Sequence, residues 1–393
     1  MYLIRADRVF TGTRMLHRAA VLMAGAHIVA VGPADEAAAA AQTHLAATSG
    51  SAADRPELLV RDLGAVTLAP GLVDVHCHGG GGTSFAEGPE IAAALHRGRG
   101  TTTTVASLVT ASLPELTFQV RSLAPLVASG VLAGLHLEGP WLAEAYKGAH
   151  PAHLLRDPDP AEVAAVLDAG VVDGVDTVRM VTLAVERPGA LRTIELLRDR
   201  GIVPALGHSA ATYDEARAAI DAGVRGATHL FNAMPPLHHR APGPVPALLG
   251  DERVWCELIV DGVHVHPGLA AWIMSVSERI VLVTDAMAAA GCADGDYTLG
   301  SHDVEVRGGV ARVAGTDTIA GSTLTLSAAV RHAIGAGVDP EVALRAATAN
   351  PAAYLGLEGV GVLAPGSCAD LVVLSADWSV SHVVQAGVGV PTV

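Results

Sequence analysis

His76 and His78 stand one residue apart at the end of an apolar run, Leu68–His76. In an extended chain, residues two apart project to the same side. The two imidazoles can therefore face one ion together. Other apolar runs end in the same kind of chemistry. One closes on His136-Leu137-Glu138-Gly139-Pro140, and others on Gly207-His208-Ser209, Thr228-His229-Leu230 and Thr284-Asp285-Ala286. Neutral imidazole and carboxylate groups are good ligands for zinc or iron. Taken singly, each motif has an ordinary explanation. The His-X-His pair could lie on the surface or in a satisfied core, the two lone histidines in turns, and Asp285 at a helix N-cap. Taken together, at successive predicted strand ends, they point to one divalent metal centre.

The elements that must position these groups follow an alternating plan. Eight strand candidates run through the middle of the chain: Leu68–His76, Thr101–Leu108, Leu132–Leu137, Val178–Val185, Val203–Gly207, Gly226–His229, Val254–Val260 and Ile280–Thr284. Amphipathic stretches such as Pro89–Arg97, Leu113–Ala128, Pro160–Ala169, Pro188–Asp199 and Thr212–Ala222 lie between them. Eight β-then-α units match an α/β fold of the (β/α)8 TIM-like barrel type, whose strand ends converge on one mouth. A doubly wound sheet competes, but Gly79–Gly82 lacks the spacing of a dinucleotide-binding turn. Strand patterns at both termini predict a small β-sandwich domain of residues 1–66 and 360–393, with the barrel spanning 67–359. A hairpin, Asp303–Val306 with Val310–Val313, interrupts the pattern after strand eight, and helices follow over Thr323–Ala336 and Pro340–Ala349. The Ala-rich tract 37–53 reads as a loose helix or a loop, with no assigned role.

Composition excludes several classes. The 393 residues are 50% hydrophobic, which rules out disorder, and only 3% aromatic, so the core must be aliphatic. The net charge of −15 leaves no basic footprint for nucleic acid. No apolar run is long enough to span a membrane, and Arg5, Asp7 and Arg8 occupy the place of a signal core. Cys77, Cys256, Cys292 and Cys368 form no CxxC pair, so free thiols in a cytoplasmic location are expected. Cys77, between the two histidines, points the other way and reads as core. His17, His27, His44, His96, His153, His302, His332 and His382 read as surface or core-edge.

Ala69-Pro70-Gly71-Leu72-Val73-Asp74-Val75-His76-Cys77-His78-Gly79 resembles the opening signature of the amidohydrolase superfamily. Leu135-His136-Leu137-Glu138-Gly139-Pro140-Trp141, Lys147-Gly148-Ala149-His150, Gly207-His208-Ser209, Thr228–Met234 and Thr284-Asp285-Ala286 are similar to the N-acetylglucosamine-6-phosphate deacetylase family within it. The resemblance runs from about residue 58 to 375. It implies metal-dependent hydrolysis of an acetamide on a phosphorylated amino sugar, giving acetate. Many binuclear relatives bridge their metals with a carbamylated lysine on strand four. Here Val178–Val185 has none, and the only lysine, Lys147, lies in a loop. This disfavours dihydroorotase-, hydantoinase- and urease-like chemistry and makes Glu138 the candidate for a carboxylate bridge.

By the resemblance, Glu138, His208 and His229 hold one ion, and His76 and His78 hold a second. One or two divalent ions per subunit are expected, zinc first, with iron, manganese and cobalt open. Asp285 sits at the metal and serves as general base and then acid. His150 polarises the acetyl carbonyl. Arg240, His264, Asn232 and Ala233 are placed at the phosphate, with Ala149, Asp261, Ile319, Ala320 and Gly321 around the substrate. Arg240 is implied to reach across a homodimer, whereas the residues alone read 235–246 as a Pro-rich loop with an exposed arginine. Deacylation of N-acetylgalactosamine 6-phosphate or an N-acyl amino acid, and a non-catalytic metal-binding barrel, are the rival readings.

Overall fold

A computed structural model describes residues 1–48 and 57–391. Eight strands form one parallel sheet in sequence order: Leu72–Cys77, Thr101–Val109, Gly134–Glu138, Val178–Leu183, Val203–Leu206, Gly226–Ala227, Trp255–Leu258 and Ile280–Leu282. A parallel bridge from Cys77 to Ala286 joins the first strand to the segment after the eighth. Asp285 N donates to His76 O at 2.9 Å, and His78 N to Ala286 O at 2.8 Å. The sheet is therefore a barrel, and the doubly wound alternative is excluded. All eight strands fall within or beside the predicted runs.

Local chemistry starts the intervening helices where the sequence marks them. Ser112 caps Leu113–Ala128, Asp159 caps Pro160–Asp168, and Thr212 with Glu215 forms a capping box on Tyr213–Ala222. Ala190–Asp199 buries Ile194 and Leu197, and Leu113–Ala128 buries Leu116, Val120 and Leu123. Each such aliphatic side chain contributes about 1.5–3 kcal/mol on burial. Two helices lacked a readable signal. Val245–Leu249 is a single short turn that follows Pro244 and contains Pro246, and Pro267–Val276 is almost wholly apolar, so no polar face marks its period.

The chain divides into two compact units: Met1–Val73, Arg97–Thr103 and Leu326–Val393 form one, Asp74–His96 and Thr104–Thr325 the other. In the first, a second sheet runs Val380–Val384, Leu371–Leu374, Thr67–Pro70, Tyr2–Phe10, Met15–Ala24, His27–Pro33, with Leu59–Asp62 also beside Tyr2–Phe10. Strands from both chain ends thus build the β-sandwich domain. Val9, Leu68 and Leu371 belong to one apolar cluster, and Leu3, Ala20 and Leu22 pack with Ala37 and Ala41 of helix Ala34–Thr48 in another. The Ala-rich tract is therefore helical up to Thr48, and residues 49–53 lie outside the described residues. The run expected as one strand, Leu68–His76, is two. Gly71 separates Thr67–Pro70, in the sandwich, from Leu72–Cys77, in the barrel. A Cβ at Gly71 would collide with the Thr102 side chain.

After the barrel closes, Gly295–Leu299, His302–Arg307 and Val310–Val313 form a three-stranded antiparallel sheet. The last two are the expected hairpin. Gly295–Leu299 is polar apart from its end and carries no apolar alternation. Helices Leu326–Gly335 and Pro340–Ala346 follow as expected, with Ala349–Tyr354 as a separate short helix. Among the described residues, no helix is long and apolar enough to cross a membrane. All four cysteines are free, and Cys77 is buried with Sγ 3.3 Å from His96 Nε2. His96 is itself fully buried, which corrects the surface or core-edge expectation. Its Nε2 also lies 2.9 Å from Gly79 O, and this polar partner lets the ring go inside.

Candidate active site

The carboxyl ends of the barrel strands bring His76, His78, Glu138, His208, His229 and Asp285 together, all buried. Glu138 ends the third strand and lies between two histidine pairs. Its Oε2 is 3.0 Å from His78 Nε2 and 3.5 Å from His76 Nε2. Its Oε1 is 3.0 Å from His229 Nε2 and 3.2 Å from His208 Nε2. Asp285 Oδ1 closes the first group, 3.1 Å from His78 Nε2 and 3.4 Å from His76 Nε2. Asp74 ties the two strand ends beneath. It accepts from Thr284 Oγ1 at 2.6 Å and, at longer range, from the Thr284 and His76 amides.

The donor chemistry fits a divalent cation. His78 Nδ1 is 3.1 Å from Ser107 O, and His208 Nδ1 is 2.9 Å from Tyr146 O. A carbonyl only accepts, so each ring donates from Nδ1 and, when neutral, keeps its lone pair on Nε2. Those Nε2 atoms face other imidazoles: His76 and His78 at 3.1 Å, His208 and His229 at 3.0 Å. With the rings neutral and these lone pairs turned inward beside the Glu138 carboxylate, the converging atoms suit a cation. His229 Nδ1 is buried without a partner among the described residues, so that ring is held only through its Nε2 side. Among the described residues Glu138 belongs to two of three groups of converging ligand atoms, one with His76, His78 and Asp285, the other with His150 and His208; the third is Asp74, Cys77 and His96.

Electrostatics separate the roles. Burial opposes charge on His76, but the Glu138 and Asp285 carboxylates raise its pKa well above the ordinary imidazole value. His78 is likewise pushed up to about 9, against burial, by its hydrogen bonds to Asp285 and Glu138. Burial would raise both carboxyls, yet His76 and its neighbours hold Glu138 and Asp285 below the usual carboxylate range. His150 goes the other way. Burial, then the neighbouring His208, hold it well below the usual value, so it stays neutral. The Thr110 amide donates to His150 Nδ1 at 3.4 Å, and Thr110 Oγ1 lies 2.8 Å from the same atom. An amide N–H can only donate, so Nδ1 accepts and His150 carries its proton on Nε2. That Nε2 is 3.7 Å from Glu138 Oε2.

The backbone is strained at this rim. His208, His229, Phe231, Ala233 and Asp285 are non-glycine residues with φ between 29° and 77°. Such conformations cost about 1–3 kcal/mol each and persist where a site requires them. Beneath the rim, His136 is a satisfied core histidine. Its Nδ1 is 2.9 Å from Ser107 Oγ and its Nε2 2.8 Å from Thr182 Oγ1.

A cavity of about 410 Å³ opens above these groups. Ala149, His150, Asn232, Ala233, His264, Ile319 and Gly321 line it, together with His78, Glu138, His208, His229 and Asp285. Arg240, Asp261 and Ala320 do not. Arg240 is exposed on its loop, with a guanidinium N–H donating to His239 Nε2 at 2.7 Å. Asp261 Oδ2 is 2.7 Å from His264 Nδ1 and orients that ring. Sequence reasoning missed part of the wall: Tyr146, Thr110, and Leu299–Ser301 and Asp317–Thr318 around the three-stranded sheet. It also missed Glu257, buried in the seventh strand, whose one signal is a carboxylate inside an apolar run.

A (β/α)8 barrel with this donor set at its carboxyl-terminal rim defines a metal-dependent hydrolase. Residues 67–388 match the amidohydrolase family, and the chain belongs to it. It is 41% identical over 335 residues to the N-acetylgalactosamine-6-phosphate deacetylase of Escherichia coli O157:H7, covering 82% of this chain and 88% of that protein. It is 40% identical to the human N-acetylglucosamine-6-phosphate deacetylase, covering 80% and 81%. A mutant N-acetyl-D-glucosamine-6-phosphate deacetylase of Mycobacterium smegmatis, in complex with N-acetyl-D-glucosamine-6-phosphate, superposes with a TM-score of 0.89. That comparison has 48% identity and covers 100% and 99% of the two chains.

Proposed function

We propose that this chain hydrolyses the acetamide of N-acetylglucosamine 6-phosphate to glucosamine 6-phosphate and acetate. The observation that carries it is Glu138, with one oxygen facing His76 and His78, the other facing His208 and His229, and Asp285 beside them on the floor of the cavity. Identity of 48% across the whole chain to a deacetylase crystallised with the gluco substrate favours that sugar over the galacto epimer.

Zinc, held by Glu138, His208 and His229 with a second place at His76, His78 and Asp285, would acidify a water and polarise the amide carbonyl. The chain's own groups do the rest. Asp285 takes a proton from the attacking water, whose oxygen bonds to the acetyl carbon. His150 donates its Nε2–H to the acetyl oxygen as negative charge builds there. Asp285 then gives the proton to the sugar nitrogen as the C–N bond breaks. His264, Asn232 and the Ala233 backbone receive the phosphate, and Ala149, Ile319, Ala320 and Gly321 border the sugar. Asp261 acts through His264. Arg240 lies outside its own cavity, which supports a homodimer in which it serves the other subunit's site. Residues 1–66 with 360–393, and 67–359, are the two domains of this reading. Four free thiols suit a cytoplasmic enzyme.

The test is acetate release from N-acetylglucosamine 6-phosphate, beside the galacto epimer and unphosphorylated N-acetylglucosamine, with elemental analysis of the same sample. Turnover of the gluco phosphate by a zinc-containing protein is expected. Equal turnover of the unphosphorylated sugar would remove the phosphate role. A metal-loaded protein that releases no acetate would leave only a metal-binding barrel.

A further inference from the structure

Glu257 lies in the seventh barrel strand, Trp255–Leu258, and is fully buried. No step of the proposed reaction uses it. Its Oε2 meets two donors, one from each half of the metal centre. His76 Nδ1 is 2.9 Å away, and the His229 amide nitrogen 3.3 Å. Its backbone oxygen also accepts from the Leu230 amide at 2.8 Å.

The His229 amide can only donate, so Oε2 is an acceptor. As a carboxylate Glu257 has no proton to give, so His76 presents N–H at Nδ1, which leaves the lone pair of the neutral ring on Nε2, toward His78, Glu138 and Asp285. The other tautomer would turn a lone pair on Glu257 and an N–H on the metal position. His78 and His208 are set in the same sense, but by neutral carbonyls of Ser107 and Tyr146. His76 alone among these three has a carboxylate behind it, and an anionic acceptor makes the ring a stronger donor. The second contact acts on shape. His229 is held at φ 29°, a left-handed conformation that an L-residue rarely adopts. The amides of His229 and Leu230 both anchor on Glu257, so one residue clamps that strained turn.

We propose that Glu257 is a positioning residue for the metal centre. It selects the Nδ1–H tautomer of His76 and pins the backbone that aims His229. This rests on the metal-site reading above.

The experiment is zinc binding to the metal-free full chain, by competition with a chromophoric chelator and by elemental analysis after dialysis, for the parent, Glu257→Gln, Glu257→Leu and His76→Ala. Thermal melting of each metal-free variant runs alongside. Glu257→Gln keeps an oxygen that can accept but loses the charge, and should weaken zinc about 10–100-fold at the sites that His76→Ala disrupts. Glu257→Leu removes every side-chain acceptor and should weaken zinc further. A variant that folds and still binds weakly carries the proposal. If His76→Ala loses zinc while both Glu257 variants bind as tightly as the parent, the positioning role is wrong and the site reading stands. Unchanged zinc in His76→Ala sinks both. Should Glu257→Leu unfold, Glu257→Gln decides alone: parent-like affinity in it overturns the proposal.

Discussion

Asp285 and His150 occupy one cavity floor but are prepared for opposite tasks. The histidines keep Asp285 ionised and able to take a proton, while burial and His208 keep His150 neutral and able to donate a hydrogen bond. Asp285→Asn should lower kcat by about 10²–10⁴-fold, with zinc retained at Glu138, His208 and His229. Steady-state rates and elemental analysis on one preparation check this, and near-parent turnover would remove Asp285 from the proton transfer. The raised pKa of His78 has a second consequence. Metal-free protein holds that proton below about pH 9, and a cation must displace it. Zinc affinity should therefore rise with pH toward about 9 and fall below it. At pH 7, titration calorimetry in buffers of different ionisation heat should show proton release. Identical heats in all buffers would contradict the assignment.

At the level of elements, the site depends on how closely neighbouring strands approach at the rim. Gly207 precedes His208 at the end of the fifth strand. A Cβ there would lie 2.6 Å from Thr228 Cβ and 2.8 Å from Thr182 Cγ2. Those atoms sit next to rigid strand backbone, and the two threonine hydroxyls are already 2.7 Å apart. Gly207→Ala should destabilise the fold by about 1–3 kcal/mol through overpacking, with weaker zinc binding because His208 moves. Thermal melts with and without zinc measure both effects, and a parent-like melt would show that the strands can yield. Local signals account for much of the element order here. Strands with apolar runs and helices with caps were readable. Gly295–Leu299 and Pro267–Val276 were not, because one lacks an apolar period and the other lacks a polar one. The break at Gly71 was hidden for a different reason. Both sides of it are strand-like, and only the pairing of Thr67–Pro70 with Tyr2–Phe10 and Leu371–Leu374, outside the barrel sheet, shows that the chain changes sheets there.

For the whole molecule, the chain carries a net charge of −15, yet its proposed substrate is a phosphate dianion. Local cations must overcome a repulsive field. Arg240 is outside its own cavity, so the proposed dimer can be tested by complementation. Arg240→Ala and Asp285→Asn variants, each inactive alone, should regain activity when mixed and allowed to exchange subunits. Random pairing makes about half of the dimers mixed, each with one intact site, so recovery should approach about a quarter of parent activity. No recovery after demonstrated exchange would place Arg240 in its own subunit's site or nowhere near the substrate.

By itself the sequence determined the eightfold β-then-α rhythm, the chemical types at the strand ends, and the pairing of His76 with His78. These follow from local rules: backbone period, caps, and the directions of alternate side chains. Tertiary structure decided that Glu138 divides its two oxygens between two histidine pairs, that His150 presents Nε2–H, and that Glu257 stands behind His76. Each of those is a relation between groups on different segments of the chain. A hydrogen bond or shared ligand position across about 180 residues depends on barrel closure and register, which no local pattern encodes.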